Sequence, residues 1–282
     1  MKPDPRFSKR GEVFWANVRI ISQELGYTER NQNKIKTYTI EEMARAMVEM
    51  GLSAEHLVDV KGKITDLANL LCEYFQYRSN ILNTQVEPFL MNKAKAKEEF
   101  ENLKKKLRPT CPIPMNKQKG KKRSPAYFTG IINMLIDSNK GKNDVDYDPR
   151  SLTVVTKNRI PIRTFCRRID GCFPSLIDPV AVWEIKEYYN TTTFGSRVAD
   201  AIYENILDGL EFKELSENEN IFIKHYLFVD DHYTWWECGR SYLCRIIDLL
   251  NMGFVDEVLF GAEVINRLPK IVQEWNSGLE KR

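Results

Sequence analysis

No Cys-x-x-Cys pair occurs in the 282 residues. The six cysteines (Cys72, Cys111, Cys166, Cys172, Cys238, Cys244) are scattered, and the three histidines stand apart at His56, His225 and His232. That spacing argues against structural zinc, which takes closely set soft ligands, and favours reduced, buried thiols. Long apolar runs are missing too. No segment reaches the ~20 apolar residues that a bilayer span requires, and MKPDPRFSKRGEVFW lacks the apolar centre of a secretory signal, so a cytoplasmic protein is expected. Neither sign of charge dominates: 42 Lys and Arg face 39 Asp and Glu, and an excess of +3 does not by itself announce a polyanionic partner. What is present is a chain 43% hydrophobic, long enough to bury a core as one domain or two.

The first half reads as helical. In EVFWANVRIISQELG (12–26), Phe14, Val18, Ile21 and Leu25 fall on one helix face and Gly26 closes it. Thr39 and Glu42 have capping-box spacing and start a second helix running to Gly51. LSAEHLVDV (52–60) suggests a further short helix, which would make this part a helix-turn-helix or a plain helical hairpin. From Ile64 to about Leu107 the pattern stays helical, interrupted by Pro88, with a densely charged second part. RPTCPIPMNKQKGKKRSP is then a loop broken by prolines. It concentrates Lys121, Lys122 and Arg123, which either neutralise phosphates or simply solvate a linker. Residues 1–115 are thus expected to form a helical N-terminal region and 116–282 a second domain.

The second half alternates. AYFTGIINMLID (126–137) reads as a helix, SLTVVTK (151–157) and IPIRTFCRRID (160–170) as strands, and VAVWEIKEYY (180–189) as a third strand with Pro179 at its start. RVADAIYENILDGL spaces Val198, Ile202, Ile206 and Leu210 on a helix expected to end near Gly209. IFIKHYLFV (221–229) is a fourth strand, and YLCRIIDLLNMG (242–253) a helix stopped by Gly253. The expected fold class is α/β (α+β).

Two acids precede an E-x-K pair. Asp178 lies six residues before Glu184, about 20 Å away if both share one strand at ~3.3 Å per residue, so the two could not share an ion. A connection centred near residue 177 instead sets Asp170 opposite Glu184, where facing side chains are ~5 Å apart. Lys186 follows Glu184 by two and shares its face, while Trp183 and Ile185 point to the other side, toward a core. Such an alternation also suits any half-exposed strand. Downstream, Thr193, Ser196 and Arg197 stand near a helix start, where an anion is favoured, although simple capping would use the same residues. Trp235 and Trp236 suit core packing more than base stacking.

An acid at the end of one strand, E-x-K on the next, then a helix and another strand together resemble the PD-(D/E)xK nuclease superfamily and its αβββαβ core. The resemblance covers about residues 126–250 and includes type II restriction endonucleases, which add recognition elements like the helical N-terminal region. Ile169 stands where the eponymous proline would be. The resemblance implies an Mg²⁺-dependent endonuclease acting on double-stranded DNA. Asp170, Glu184 and the main-chain carbonyl of Ile185 would hold the metal, and Lys186 would orient the attacking water and offset developing charge. It also implies DNA contacts from Thr193, Ser196, Arg197, Arg163, Arg167, Arg168, Lys121, Lys122 and Arg123, and a homodimer to cut both strands of a symmetric site. A repair or mobile-element nuclease, a non-catalytic DNA-binding or assembly protein with this fold, and an RNA-processing nuclease are the alternatives, because function lives in the attached elements.

Overall fold

A computed structural model describes residues 1–29, 34–116, 120, 123–189 and 195–280, with the backbone alone for Ser196. Helices α1 (Glu12–Leu25), α2 (Ile40–Glu49) and α3 (Asp66–Ile81) enclose a cluster rich in aromatic rings, including Phe7, Phe14, Trp15, Tyr74 and Phe75. Gly26 ends α1 at φ 81°, a left-handed conformation that costs glycine little. The Thr39–Glu42 capping box forms as expected: the Glu42 amide donates to the Thr39 hydroxyl at 3.2 Å, and the Thr39 amide donates to the Glu42 carboxylate at 2.8 Å.

The helix expected over 52–60 does not form. Asp59 takes the amides of Lys61 and Lys63 at 2.8 and 2.9 Å, Gly62 turns the chain at φ 79°, and Val58 bridges back to Ile64. A short carboxylate offered to nearby amides competes with helix propagation, and the helix-turn-helix reading falls with it. Past α3, the chain continues through a π-helical turn (Leu82–Val86) and a 3-10 turn holding Pro88 to α4 (Lys93–Leu107).

The remainder is layered. A four-stranded sheet runs β3 (Gly171–Phe173), β4 (Ala181–Glu187), β5 (Lys224–Asp230), β6 (Glu257–Phe260), antiparallel between β3 and β4 and parallel thereafter. Side chains alternate across it. Trp183, Tyr226, Phe228 and Leu259 face α4, α5 (Tyr127–Asp137) and α8 (Glu263–Leu279). Leu227, Val229, Val258 and Phe260 face α6 (Ser196–Glu219) and α7 (Arg240–Asn251). The two-residue period of the strands thus fills both sides of the sheet. Phe100 of α4 lies so close to Gly130 of α5 that a Cβ there would sit 2.5 Å from its ring. Trp235 and Trp236 are buried in the α6–α7 side, as core packing requires.

Three departures from the sequence reading are structural. First, the strand expected over 160–170 stops early: β2 (Ile160–Thr164) pairs with β1 (Val154–Lys157) in a separate two-stranded sheet. Bends at Cys166 and Arg167 end the extended run, and Phe165 and Ile169 on either side of them are buried in one cluster with Phe212 and Leu215 of α6. Asp170 therefore precedes the short β3 and does not end β2. Second, α6 runs ten residues beyond Gly209. That glycine serves contact, since a Cβ would meet the Phe254 carbonyl oxygen at 2.5 Å. Third, β6 and α8 extend the sheet and its covering layer beyond the αβββαβ order. Among the described residues no helix is long and apolar enough to cross a membrane.

One buried ion pair ties the N-terminal helices to the layered part. Arg78 of α3 is fully buried; its Nη1 donates to both carboxylate oxygens of Asp248 on α7 at 3.0 Å, and Nη2 donates to Ser22 of α1 at 3.1 Å. The Tyr74 hydroxyl also donates to Asp248 at 2.5 Å. Truncating one partner strands the other charge away from water. Asp248→Ala is expected to lower the unfolding free energy by ~3–5 kcal/mol, read by denaturant titration; a loss within the range of a surface substitution would show that the pair does not join the two parts.

Candidate functional site

The β3–β4 ladder sets the site. Gly171 pairs with Trp183 and Cys172 with Val182, so one step beyond the ladder Asp170 falls opposite Glu184, as the spacing around residue 177 predicts. The Asp170 carboxylate accepts the Ile185 amide at 2.8 Å, and the Asp170 amide donates to Glu184 Oε1 at 3.3 Å. Glycine at 171 permits this approach, since a Cβ there would overlap the Trp183 ring at 2.2 Å. Alternation along β4 then sends Trp183 into the α5–α8 core and Glu184 and Lys186 to the α6 side.

That face is not open to solvent. α6 lies over it and presents Glu204 and Asp208, one turn apart. Arg167 enters from the irregular 165–170 segment. Its Nη1 reaches Glu184 Oε1 at 2.9 Å and Asp208 at 2.5 Å, and its Nη2 reaches Glu184 Oε2 at 3.1 Å and Glu204 at 3.3 Å. Lys186 Nζ donates to Glu184 Oε2 at 3.0 Å and to Glu204 at 2.6 Å. The Glu184 side chain is 1% exposed and that of Asp208 3%, so these are bonds made largely out of water.

Four carboxylates, Asp170, Glu184, Glu204 and Asp208, thus surround two cations, Arg167 and Lys186. The excess negative charge appears in their proton affinities. Burial pushes the Asp208 carboxyl up to about 7; the Arg167 charge opposes the rise and the Glu184 charge adds to it. One guanidinium shared among three carboxylates cannot hold all of them low. Burial and then the Glu184 charge push Asp170 upward as well, a rise opposed by the Lys186 charge, the Ile185 amide and the Arg167 charge. Burial likewise acts to raise Glu184, but Lys186 and Arg167 outweigh it and keep the group below its ordinary value. Burial disfavours charge on Lys186, and Glu184, Asp170 and Glu204 overcome this, so it remains a firm ammonium. Lys186 is a fixed positive charge and is unsuited to take a proton.

Other expected residues lie elsewhere or outside the described set. Asp178, excluded as a ligand, accepts the Thr156 amide and hydroxyl at 2.6 and 2.7 Å and pins β1 beside the β3–β4 turn. Asp137, a carboxylate outside the expected set, takes the Thr110 and Cys111 amides at the end of α5. Arg163 pairs with Glu214 of α6 at 2.8 Å, which turns it away from the carboxylate cluster. Arg168, Arg197 and Arg123 are exposed, Arg197 in the first turn of α6. Thr193, Lys121 and Lys122 lie outside the described residues, as does the side chain of Ser196.

Arg167, expected as a DNA contact, turns inward onto Glu184, and Glu204 and Asp208 escaped the sequence reading as members of the site. Their signal lies in α6, whose buried side runs through Val198, Ala201, Asn205, Asp208, Phe212 and Leu215, not through Leu210, which is exposed. An aspartate and an asparagine on the inner stripe of a helix require partners beneath it.

The charge surplus has a consequence for stability. Because Asp208 binds its proton more tightly folded than unfolded between its ordinary value of 3.8 and about 7, this group makes stability fall as pH rises through that window. In cation-free buffer, the stability of the natural protein relative to Asp208→Asn is expected to decline from pH 4 to pH 7 and then level off. Denaturant titrations of both proteins across that range check it, and a relative gain with rising pH would contradict the shared-guanidinium account.

Neither a search of curated proteins nor one of solved structures found a match. Two families of unknown function match the chain in tandem. Residues 1–85, which hold α1 to α3, match the domain of unknown function DUF7690. Residues 91–275, which begin just before α4 and hold both sheets and the whole carboxylate cluster, match the domain of unknown function DUF7687, and the chain belongs to that family.

Proposed function

We propose that the protein is an Mg²⁺-dependent endonuclease acting on double-stranded DNA, of the type II restriction kind, with a PD-(D/E)xK-like site formed by Asp170, Glu184 and Lys186. The observation that carries this reading is the Asp170 carboxylate seated on the edge of β4 beside Glu184, with Lys186 on the same face and carboxylates outnumbering cations by two. The β4–α6–β5 crossover with antiparallel β3 alongside also agrees with the core of that superfamily.

The donor chemistry fits a hard divalent ion. Asp170, Glu184 and the Ile185 carbonyl supply oxygen only, and a charge of +2 would neutralise the surplus. Among the described residues no group of three or more His, Cys, Asp or Glu is placed to hold a metal ion by itself. Mg²⁺ does not require one, because it keeps several waters and commonly binds through one or two carboxylates and substrate phosphate oxygens. When bound there, the ion would polarise the scissile phosphate and acidify a water.

The chain's own groups do the rest. Lys186, held protonated by its carboxylate neighbours, orients the attacking water and opposes charge building on the phosphate oxygens. Glu204 and Asp208 hold Lys186 and Arg167 in place, and the exposed Arg168 and Arg197 offer phosphate contacts that set DNA across the edge of the sheet. Two copies acting together would cut both strands of a symmetric site.

Incubation of the full chain with plasmid, linear duplex and structured RNA, in Mg²⁺ or EDTA, tests the reading. Discrete Mg²⁺-dependent DNA fragments are expected. Lys186→Ala should lower the cleavage rate by ~10²–10³-fold, the scale of losing one preorganised transition-state contact, and Glu184→Ala should abolish cutting, with DNA retardation preserved in both. Undiminished cutting by either variant, or DNA that is retarded and left intact by the natural protein, would overturn the nuclease reading.

A further inference from the structure

Glu184 has no oxygen to spare. Oε1 accepts from Arg167 at 2.9 Å and from the Asp170 amide at 3.3 Å; Oε2 accepts from Lys186 at 3.0 Å and from Arg167 at 3.1 Å. A cation that coordinates this carboxylate must displace a donor. Resting on the metal-site reading above, we propose that Arg167 is that donor: it competes directly with the divalent ion for Glu184 and, when displaced, stays docked on Asp208.

The surroundings of the two cations distinguish them. Lys186 shares a strand with Glu184, two residues on, so β-pairing with Val229 holds its backbone, and its side chain is 12% exposed. Arg167 is carried by an irregular segment fixed at its ends by Phe165 and Ile169, which are 3% and 5% exposed, with a more open side chain at 21%. It also has somewhere to go. Asp208, at 2.5 Å, lies on the helix above and can keep the guanidinium after Glu184 is given up. Arginine suits this exchange because its planar fork bridges two carboxylates and keeps its charge throughout. The same segment ends at Asp170, so an ion that takes Glu184 from Arg167 meets the second carboxylate on the same stretch of chain. Arg167 is therefore a positioning residue: it holds Glu184 in place and sets how tightly the ion binds.

Calorimetric titration of the full chain with Mn²⁺ and Mg²⁺, without DNA, reads this directly. Arg167→Met leaves four carboxylates facing Lys186 alone, and its Mn²⁺ affinity is expected to rise at least about tenfold, the change that 1.4 kcal/mol produces. Its thermal midpoint should fall without cation and recover at saturating Mn²⁺. Arg167→Lys, whose ammonium cannot fork, should bind Mn²⁺ several-fold more tightly than the natural protein, and it carries the test if circular dichroism shows the methionine variant unfolded. Unchanged or weakened Mn²⁺ affinity in a folded Arg167 variant overturns the competition while leaving the site reading intact, provided that Glu184→Gln abolishes binding. Absence of Mn²⁺ binding from every protein, or binding that survives Glu184→Gln, overturns both.

Discussion

A carboxylate in the middle of a covered strand must be compensated, because taking an ion out of water costs several kcal/mol unless charge and hydrogen bonds replace the solvent. Glu184 is that group. Its requirement accounts for the bend of the chain at 165–170, which delivers Arg167, for Lys186 two residues along β4, and for the acids of α6 that hold both cations. The acids that hold the two cations, together with Asp170, leave the cluster with more negative charge than positive. Such a surplus can be met by protons or by a cation. Burial raises the proton affinity of Asp208 and the neighbouring Glu184 charge adds to it, while the surplus of carboxylate oxygen suits the proposed metal site.

The packing around the cluster gives it rigidity. Trp183 stacks on Trp275 of α8 at 5.4 Å with the rings 3° from parallel, so β4 is anchored on the face opposite to Glu184. Glu187, on the same side as Trp183, accepts the amide and hydroxyl of Thr129 in the first turn of α5, where a negative charge is favoured. Phe165 lies 4.8 Å from the Phe212 ring, which fixes one end of the segment that carries Arg167 and Asp170. Side chains with no polar role thus determine where the polar ones meet, and the Arg78–Asp248 pair extends that scaffold to the N-terminal helices.

Much of this was readable from local pattern. The capping box at Thr39, the stop at Gly26, the helices α1, α5 and α7, and the strands β4 and β5 follow from period, turn chemistry and caps. The opposition of Asp170 and Glu184 was readable as well, because antiparallel partners share a constant sum of residue numbers. The failures have two causes. The 165–170 segment looks like strand, Gly209 looks like a stop, and 52–60 looks like helix, and each was decided by a contact distant in sequence or by a side chain competing for backbone amides.

The sequence alone determined which residues could face one another across β4, since a strand's period of two leaves no freedom in that choice. Tertiary structure decided what lies above them. Arg167, Glu204 and Asp208 are 17, 20 and 24 residues from Glu184 in the chain, and no periodicity links them to it. They meet because burying the apolar stripe of α6 against the sheet carries Glu204 and Asp208 over β4, and because a buried carboxylate draws in whatever cation the packing leaves within reach.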